Sequence, residues 1–272
     1  MIEVKDLIFS YPGQNQRLFD GFDLKLEENK IYGLLGKNGT GKSTLLYLLS
    51  GLLRAKSGTV QVLGFTPHLR EAEMLREVFL VPEEYDLPQT PLSKYVKLIS
   101  PFYPRFSNEV LNTCLQEFEL EGDPKLGALS MGQKKKVYMS VALAANTRLL
   151  LMDEPTNGLD IPSKSQFRKV VAQQMREDRT LIISTHQVHD VETLLDHVLI
   201  LNQRELLLNA SVSELTERYR FDLRMPGDTD GMLYAEPSLQ GNASMSLRKP
   251  GEEETQVNLE LLFNAVTKGI VK

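Results

Sequence analysis

The sequence predicts an α/β fold in which helices cover a mostly parallel central sheet. Three observations lead to this prediction. Apolar runs of strand length alternate with helical segments, several of these runs are continuously apolar, and a glycine-rich loop joins one run to a helix. Sheets of this kind bind ligands at the carboxyl ends of their strands. The residues that follow each apolar run are therefore the candidates for function.

The first segments of the chain predict an antiparallel pair of strands. Ile2 to Ser10 is a strand that ends at a turn of residues 11–13, and Leu18 to Leu26 is a second apolar-alternating strand. Residues 58–64 form a further strand between two glycines. Tyr11, in the turn, is either a core or edge residue or a flat apolar surface on which an adenine base stacks.

The clearest chemistry lies in the glycine-rich loop that follows the next strand. The strand covers residues 30–35 and the helix after the loop includes residues 45–49. The loop consists of Gly36, Lys37, Asn38, Gly39, Thr40, Gly41, Lys42, Ser43 and Thr44. This is a P-loop in its required context, where backbone N–H groups and a helix N-terminus bind phosphate. We expect Lys42 to reach the β and γ phosphates and the Ser43 hydroxyl to hold Mg²⁺.

Helices and strands continue to alternate after the P-loop. Helices are predicted over residues 67–77, over 92–120 as two helices separated by prolines, and over 134–145, 163–175 and 191–195. Strands are predicted over residues 78–81, 148–152, 180–185 and 197–201. After about Tyr219, Gly, Pro, Asp and Ser become frequent, and residues 257–268 are amphipathic. We interpret this tail as a small α+β piece.

Two of the buried strands end in side chains that suit ATP hydrolysis. Asp153 follows four apolar residues, and a carboxylate there suits Mg²⁺, directly or through water. Glu154 points elsewhere and can act as the base or orienter of the attacking water, whereas the simpler interpretation is a strand-terminating turn. His186 is either a satisfied structural histidine or a neutral imidazole that faces the γ-phosphate.

Composition limits the class of protein. The 272 residues, 42% hydrophobic and 25% charged, suit a globular domain with extensions or two small domains. The net charge of -5 argues against a nucleic-acid partner. The single cysteine, Cys114, excludes an intramolecular disulfide and fits a reducing compartment. Neither a transmembrane run nor a signal-peptide pattern is found, so a membrane function would need a partner that supplies the membrane part.

The order of the motifs resembles the nucleotide-binding domain of ABC transporters. Residues 129–133 (LSMGQ) lie just upstream of residues 149–160 (LLLMDEPTNGLD), and His186 follows. The resemblance runs from about Ile2 to about Asn209. It implies a P-loop NTPase domain over residues 1–210, with an N-terminal antiparallel β-subdomain and an inserted helical subdomain at about 88–140. Residues 211–272 would then be a C-terminal accessory extension.

The resemblance also implies roles for individual residues. Tyr11 corresponds to the adenine-stacking aromatic, Glu83 to the glutamine of the Q-loop beside Mg²⁺, Asp160 to the D-loop, and His186 to the switch histidine. The signature motif corresponds to Ser130, Gly132 and Gln133. In this family the signature of one subunit covers the nucleotide on the Walker A loop of another, in a head-to-tail dimer. A second helix N-terminus that attracts anions, at residues 130–132, agrees with this arrangement.

Two positions depart from the family pattern. Met131 replaces a usual glycine, so its side chain must point away from nucleotide, and a positive φ there would be strained. Glu83 replaces the usual glutamine, and its carboxylate can bind Mg²⁺ more strongly or repel phosphate. The three lysines 134–136 oppose the helix dipole, so they form either a solvated face or a face opposite a polyanion.

The function that the resemblance implies is that of an ATPase subunit that uses ATP and Mg²⁺. It dimerises with itself or with a homologous subunit and drives a separate membrane permease from the cytoplasmic face. Residues 102–106 and 259–263 resemble the subgroup that partners ABC-2-type permeases, which are often exporters. Two alternatives remain: a soluble nucleotide-gated regulatory ABC protein, and a P-loop kinase, which needs neither the signature nor His186.

Overall fold

The computed structural model of the chain describes residues 1–14, 16–202, 205–225 and 227–271. Its strands are β1 Ile2–Phe9, β2 Phe19–Leu26, β3 Ile31–Leu35, β4 Ser57–Val62, β5 Val78–Val81, β6 Leu149–Asp153, β7 Thr180–Thr185, β8 His197–Asn202, β9 Glu205–Ser211, β10 Tyr219–Arg224, β11 Met232–Ser238 and β12 Gly241–Leu247. Its helices are α1 Lys42–Leu49, α2 Ala72–Leu75, α3 Leu92–Ile99, α4 Asn108–Glu117, α5 Met131–Ala144, α6 Ile161–Gln174, α7 Val212–Arg218 and α8 Leu259–Thr267.

The central sheet has the strand order β5-β6-β7-β3-β8-β9. Neighbouring strands are parallel from β5 to β8, and β9 is added antiparallel at one edge. Every residue of β3, β6 and β7 is buried, because helices and the N-terminal sheet cover both faces of the central sheet. The predicted α/β fold with a mostly parallel sheet is therefore confirmed.

The N-terminal sheet is antiparallel, with the strand order β2-β1-β4. The alternating burial of β2 shows that only one face of this sheet packs on the rest of the molecule. The close approach of β4 to β1 requires a glycine at residue 58. Gly58 has a φ of 83°, and a Cβ there would lie 2.3 Å from the carbonyl oxygen of Asp6.

The central sheet separates two hydrophobic cores. Ile31 and Leu35 of β3 belong to the core that also contains residues of α4, α5, α6 and α8, whereas Tyr32 and Leu34 belong to the core shared with α1 and the N-terminal sheet. Cys114 is fully buried in the first core. Burial raises the pKa of its thiol to about 12, so this cysteine is a packing residue and not a nucleophile.

Three helical segments differ from the prediction. The predicted helix 67–77 is a 3₁₀ turn Pro67–Leu69 and the short α2, separated by Arg70 with a φ of 52°. The predicted helix 191–195 is replaced by the 3₁₀ turns Val188–Asp190 and Glu192–Leu194. Helix α5 begins at Met131, earlier than predicted, because residue 130 caps it.

The C-terminal extension combines helices with an antiparallel sheet of order β10-β12-β11. Asn258 caps α8, whose Leu259, Leu262 and Val266 are buried in the larger core. The expected α+β extension is thus present, while its boundary at residue 210 stays a prediction and residues 226 and 272 lie outside the described residues. Among the helices that the structure describes, none has the length and apolar character needed to cross a membrane.

Candidate functional site

The loop between β3 and α1 presents backbone N–H groups to an open cleft. Gly39 and Gly41 have φ values of 81° and 103°, a region that glycine enters without strain. Helix α1 begins after Gly41 without a side-chain cap, so its first N–H groups lack intrahelical acceptors and can bind an anion. A Cβ at Gly36 would lie 2.6 Å from the carbonyl oxygen of Leu201 and from Thr40 Oγ1, so only glycine fits there.

The cleft has a volume of about 930 Å³. It is lined by Tyr11, Gln14, Gln16, Arg17, Leu18, Asp20, Asn38, Gly39, Thr40, Gly41, Lys42, Ser43, Thr44, Glu83, Glu154 and Glu205. The structure thus brings Tyr11, the glycine loop, Glu83 and Glu154 together, as the sequence predicted. The contributions of residues 16–20 and of Glu205 were not predicted, because these segments carry no motif and reach the cleft only through the fold.

The ring of Tyr11 is held in place at the cleft by two contacts. Its hydroxyl hydrogen-bonds Thr44 Oγ1 at 2.8 Å, and its ring packs edge-on against Phe9 at 5.1 Å between centroids. Tyr11 is partly buried. The ring thus packs beside the N-terminal sheet and also lines the cleft, and its role in stacking on a base stays a prediction.

Lys42 and Glu154 form a buried ion pair beneath the glycine loop. Lys42 Nζ donates to the carbonyl oxygen of Gly36 at 2.9 Å and lies 3.3 Å from Glu154 Oε1. Their side chains are 6% and 5% exposed. Such a pair is stable only while both partners remain, because either charge alone would be buried without compensation. A triphosphate entering the cleft would offer Lys42 a second anionic partner.

Glu154 also joins the P-loop to His186 at the end of β7. Its φ of 46° places it in the left-handed region, and its backbone N–H donates to the carbonyl oxygen of Ser184 at 3.0 Å. His186 Nδ1 lies 2.9 Å from Glu154 Oε1, and the His186 backbone N–H donates to Oε2 at 3.3 Å. Oε1 is buried without an aligned hydrogen bond, so it is an unused acceptor that lies close to both Lys42 and His186.

Asp153 has the surroundings of a divalent-cation ligand. Its Oδ1 accepts a hydrogen bond from Ser184, whereas its buried Oδ2 makes none. Burial raises the pKa of this carboxyl, opposed by the hydroxyls of Ser184 and Ser43. Asp153 itself does not line the cleft but lies beside Ser43, which does, and a buried carboxylate that is costly to ionise without a counter-charge fits Mg²⁺.

Glu83, which stands where the family usually has glutamine, lines the cleft and is hydrogen-bonded to the turn after β6. Asn157 Nδ2 donates to Glu83 Oε1 at 3.0 Å. The carboxylate therefore faces the same space as Lys42 and Ser43 while one of its oxygens is engaged by an amide. This contact links two segments that are far apart in sequence.

The residues of the predicted signature motif do not line the cleft of their own chain, within the part that the structure describes. Ser130 caps α5 by accepting from the Gln133 N–H at 3.2 Å, and the Gln133 side chain accepts from the Ser130 N–H at 3.0 Å. Both residues are exposed. Met131 is 65% exposed in the first helical position, so the strain considered for a positive φ does not arise.

The signature segment and the turn before α6 form one exposed surface. A Cβ at Gly132 would lie 3.9 Å from Leu159 Cδ2, which shows how closely the two segments approach. Asp160 caps α6 by accepting from the Ser163 N–H at 2.9 Å, and the Ser163 side chain together with this N–H lowers the pKa of the Asp160 carboxyl. Ile161, next to Asp160, is 84% exposed.

The burial of Lys135 was not predicted from the sequence. Instead of lying on a solvated face, this lysine is buried, and its Nζ donates to the carbonyl oxygens of Glu154 at 3.2 Å and Asn157 at 2.7 Å. Burial lowers the pKa of its ammonium, opposed by the charges of Glu83, Glu154 and Asp153. A signal was present, because Lys135 shares a helix face with the apolar Met139 four residues later.

The glycine loop, the buried Lys42 and the carboxylates at the end of β6 define the fold and site of a P-loop ATPase. Comparison with known proteins narrows this class. The family model described as ABC transporter matches residues 19–157, just over half of the chain, so this chain belongs to the ABC transporter family. Within that family it is an ATP-binding ATPase subunit.

Individual relatives agree with this assignment. The ABC transporter ATP-binding protein YtrB of Bacillus subtilis is 30% identical over 234 residues, which cover 85% of this chain and 78% of YtrB. The bacitracin transport ATP-binding protein BcrA of Bacillus licheniformis is 29% identical over 224 residues, covering 81% and 72%. The cassette MJ0796, solved as a dimer with ADP and Pi, matches in fold with a TM-score of 0.68 at 24% identity, covering 78% of this chain and 98% of that one.

Replacement of Lys135 by methionine tests its structural role. Lys135→Met removes two hydrogen bonds from a charged donor, so we expect the free energy of unfolding to fall by about 2 kcal/mol. Urea denaturation measures this change. Lys134→Met is the matched control, since the described contacts include no side-chain hydrogen bond or ion pair for that neighbour. Equal stability of the two variants would show that the Lys135 contacts contribute nothing.

Proposed function

We propose that this chain is the ATPase subunit of an exporter, in which two copies enclose two ATP–Mg²⁺ molecules head to tail and move a separate membrane permease. The observation that carries the proposal is the position of the signature segment. Its polar residues lie on an exposed helix N-terminus, away from the chain's own cleft and beside the exposed Met131 and Ile161. A second copy that carries bound phosphate would cover both the anion site and the apolar side chains.

Within this site the chain's residues have complementary tasks. The glycine loop and Lys42 hold the triphosphate, and Tyr11 supports the base. Glu154 accepts a proton from the attacking water or orients it, and His186 stands beside the γ-phosphate. Ser43 and Asp153, with Glu83 nearby, would hold Mg²⁺. When bound, Mg²⁺ neutralises charge on the phosphate oxygens.

Ser130, Gly132 and Gln133 would complete the site on the second copy, and Asp160 belongs to the turn beside them. Gly132 has no side chain to obstruct an approaching phosphate, and the Ser130 hydroxyl can still donate while it accepts within the capping box. Because these groups come from the other chain, hydrolysis would require the dimer. The ATPase site and the dimer interface would then be the same surface.

The first test concerns Glu154. We expect Glu154→Gln to lower ATP turnover by at least about a hundredfold, because the amide cannot accept the water's proton. ATP should then hold the variant as a dimer, which light scattering during gel filtration detects. Glu84→Gln, at the exposed carboxylate that follows Glu83 in the chain, is the control and should keep normal turnover. A Glu154→Gln variant that stays monomeric with saturating ATP and Mg²⁺ would contradict the proposal.

The second test asks whether the signature acts on the other copy. Lys42→Ala disables one chain's phosphate site, and Gly132→Asp places a negative charge at the signature, where an added Cβ has room in the chain itself. Each variant alone should fail to hydrolyse ATP in a single-turnover assay. Mixed dimers contain one site with a native loop and a native signature, so mixing should restore hydrolysis. If mixed dimers form but remain inactive, the signature does not act between chains.

A groove between α2 and residues 101–103 is the surface on which a permease segment would dock. It has a volume of about 600 Å³ and is lined by Ser50, Leu52, Arg70, Ala72, Leu75, Arg76, Val78, Leu80, Pro101, Phe102 and Tyr103. Leu52 and Phe102 are 55% and 66% exposed, which is unusual for large apolar side chains unless a partner covers them. A permease segment with apolar side chains and an acidic residue would match the groove and its two arginines. The chain would then lie at the cytoplasmic face of the membrane.

The third test uses this groove. Phe102→Asp should abolish co-purification with the permease while leaving the ATPase of the isolated subunit within about twofold, because a charge there opposes apolar docking. Leu98→Asp, at an exposed leucine outside the groove, is the matched control. Direction is measured in everted membrane vesicles, where ATP-driven uptake indicates export. Retained co-purification of Phe102→Asp would place the permease elsewhere.

A further inference from the structure

The C-terminal helix α8 packs against the loop that follows His186. The 3₁₀ turn Val188–Asp190 begins two residues after His186 and lies against α8. Val188 and Phe263 are both partly buried against the same core. The extension is therefore in direct contact with the loop that follows His186.

A small cavity connects α8 with the phosphate-binding residues. It has a volume of about 270 Å³ and is lined by Leu35, Gly36, Lys37, Asn38, Thr185, His186, Val188 and Phe263. Phe263 comes from α8, whereas the other residues come from the P-loop, from the end of β7 and from the loop after it. Phe263 thus lines the same cavity as His186 and the first residues of the P-loop.

A polar contact supplements this packing. His189 Nε2 lies 2.7 Å from Glu260 Oε2 of α8, and the two side chains are 64% and 56% exposed. Exposed ion pairs contribute little to stability. The apolar packing of α8, with Phe263 and Val188 lining one cavity, is consequently the stronger link between α8 and the loop.

The same loop is held from two other directions. Glu154 accepts the His186 backbone N–H, and Lys164 of α6 donates to Gln187 Oε1 at 3.0 Å and pairs with Asp190 at 2.8 Å. These contacts fix the loop toward β6 and α6. On the side of the C-terminal extension, α8 supplies the support.

We propose that Phe263 is a positioning residue for His186, and that the C-terminal extension serves the ATPase site by packing against the loop that follows His186. This inference rests on the proposed role of His186 in hydrolysis. Loss of the ring would remove the support on the α8 side and let the loop shift away from the γ-phosphate within its remaining contacts to Glu154 and Lys164. Nucleotide binding would be spared, because the glycine loop has its own hydrogen bonds, from Lys42 Nζ to the Gly36 carbonyl oxygen at 2.9 Å and from Thr40 Oγ1 to the Lys37 carbonyl oxygen at 2.8 Å.

Steady-state kinetics of the full chain test the proposal. Phe263→Ala should lower kcat about tenfold, since small displacements of a catalytic group are costly. The Kd for a fluorescent ATP analogue should stay within about twofold, and Phe263→Leu, which restores an apolar wall, should recover most of kcat. Thermal melting checks the fold of each variant. If Phe263→Ala does not fold, Phe263→Val takes its place.

A double-mutant cycle with His186→Ala shows whether Phe263 acts through the histidine. The cost of Phe263→Ala should disappear in the His186→Ala background, and amide exchange at residues 186–191 should rise in Phe263→Ala alone. A full cost that persists without the histidine, or exchange that does not change, would overturn the inference. If His186→Ala itself keeps normal turnover, the proposed role of His186 fails instead.

Discussion

The structure of the site depends on one buried carboxylate, that of Glu154. It is 4% exposed, and a charge at that depth is tolerated only when cations or donors surround it. Lys42 and His186 provide this environment from the P-loop and from the end of β7. The glycine loop is thereby joined to the ends of β6 and β7 and cannot shift independently of them.

Glu154 is also connected to the surface of the molecule through hydrogen bonds. Lys135 of α5, the helix that begins at the signature segment, donates hydrogen bonds to the backbone carbonyl oxygens of Glu154 and Asn157. Asn157 in turn donates to Glu83 in the cleft. A buried ammonium exchanges such partners only at a large cost. A molecule that binds at the exposed end of α5 therefore contacts a helix that is joined through Lys135 to Glu154.

Much of the fold and part of the candidate site could be predicted from the sequence. The strands β3, β6 and β7 are continuous apolar runs, and the glycine loop has the spacing that its backbone conformation demands. These are local signals. The residues of segment 16–20, Glu205 and Lys135 were not predicted, because their places depend on contacts between segments far apart in the chain. The breaks of the helices at Arg70 and after His186 have the same origin, since packing there overrides helical propensity.

By itself the sequence determined the α/β class and the phosphate loop, because periodicity and spacing along the chain encode them, whereas the signature and histidine segments were assigned by their resemblance to the ABC transporter family. Only the tertiary structure decided which charges neutralise one another, which lysine of the run 134–136 is buried to bind the turn after β6, and that the C-terminal helix packs against the loop after His186. Such choices arise from burial, which assigns each charge the partners that folding places within reach.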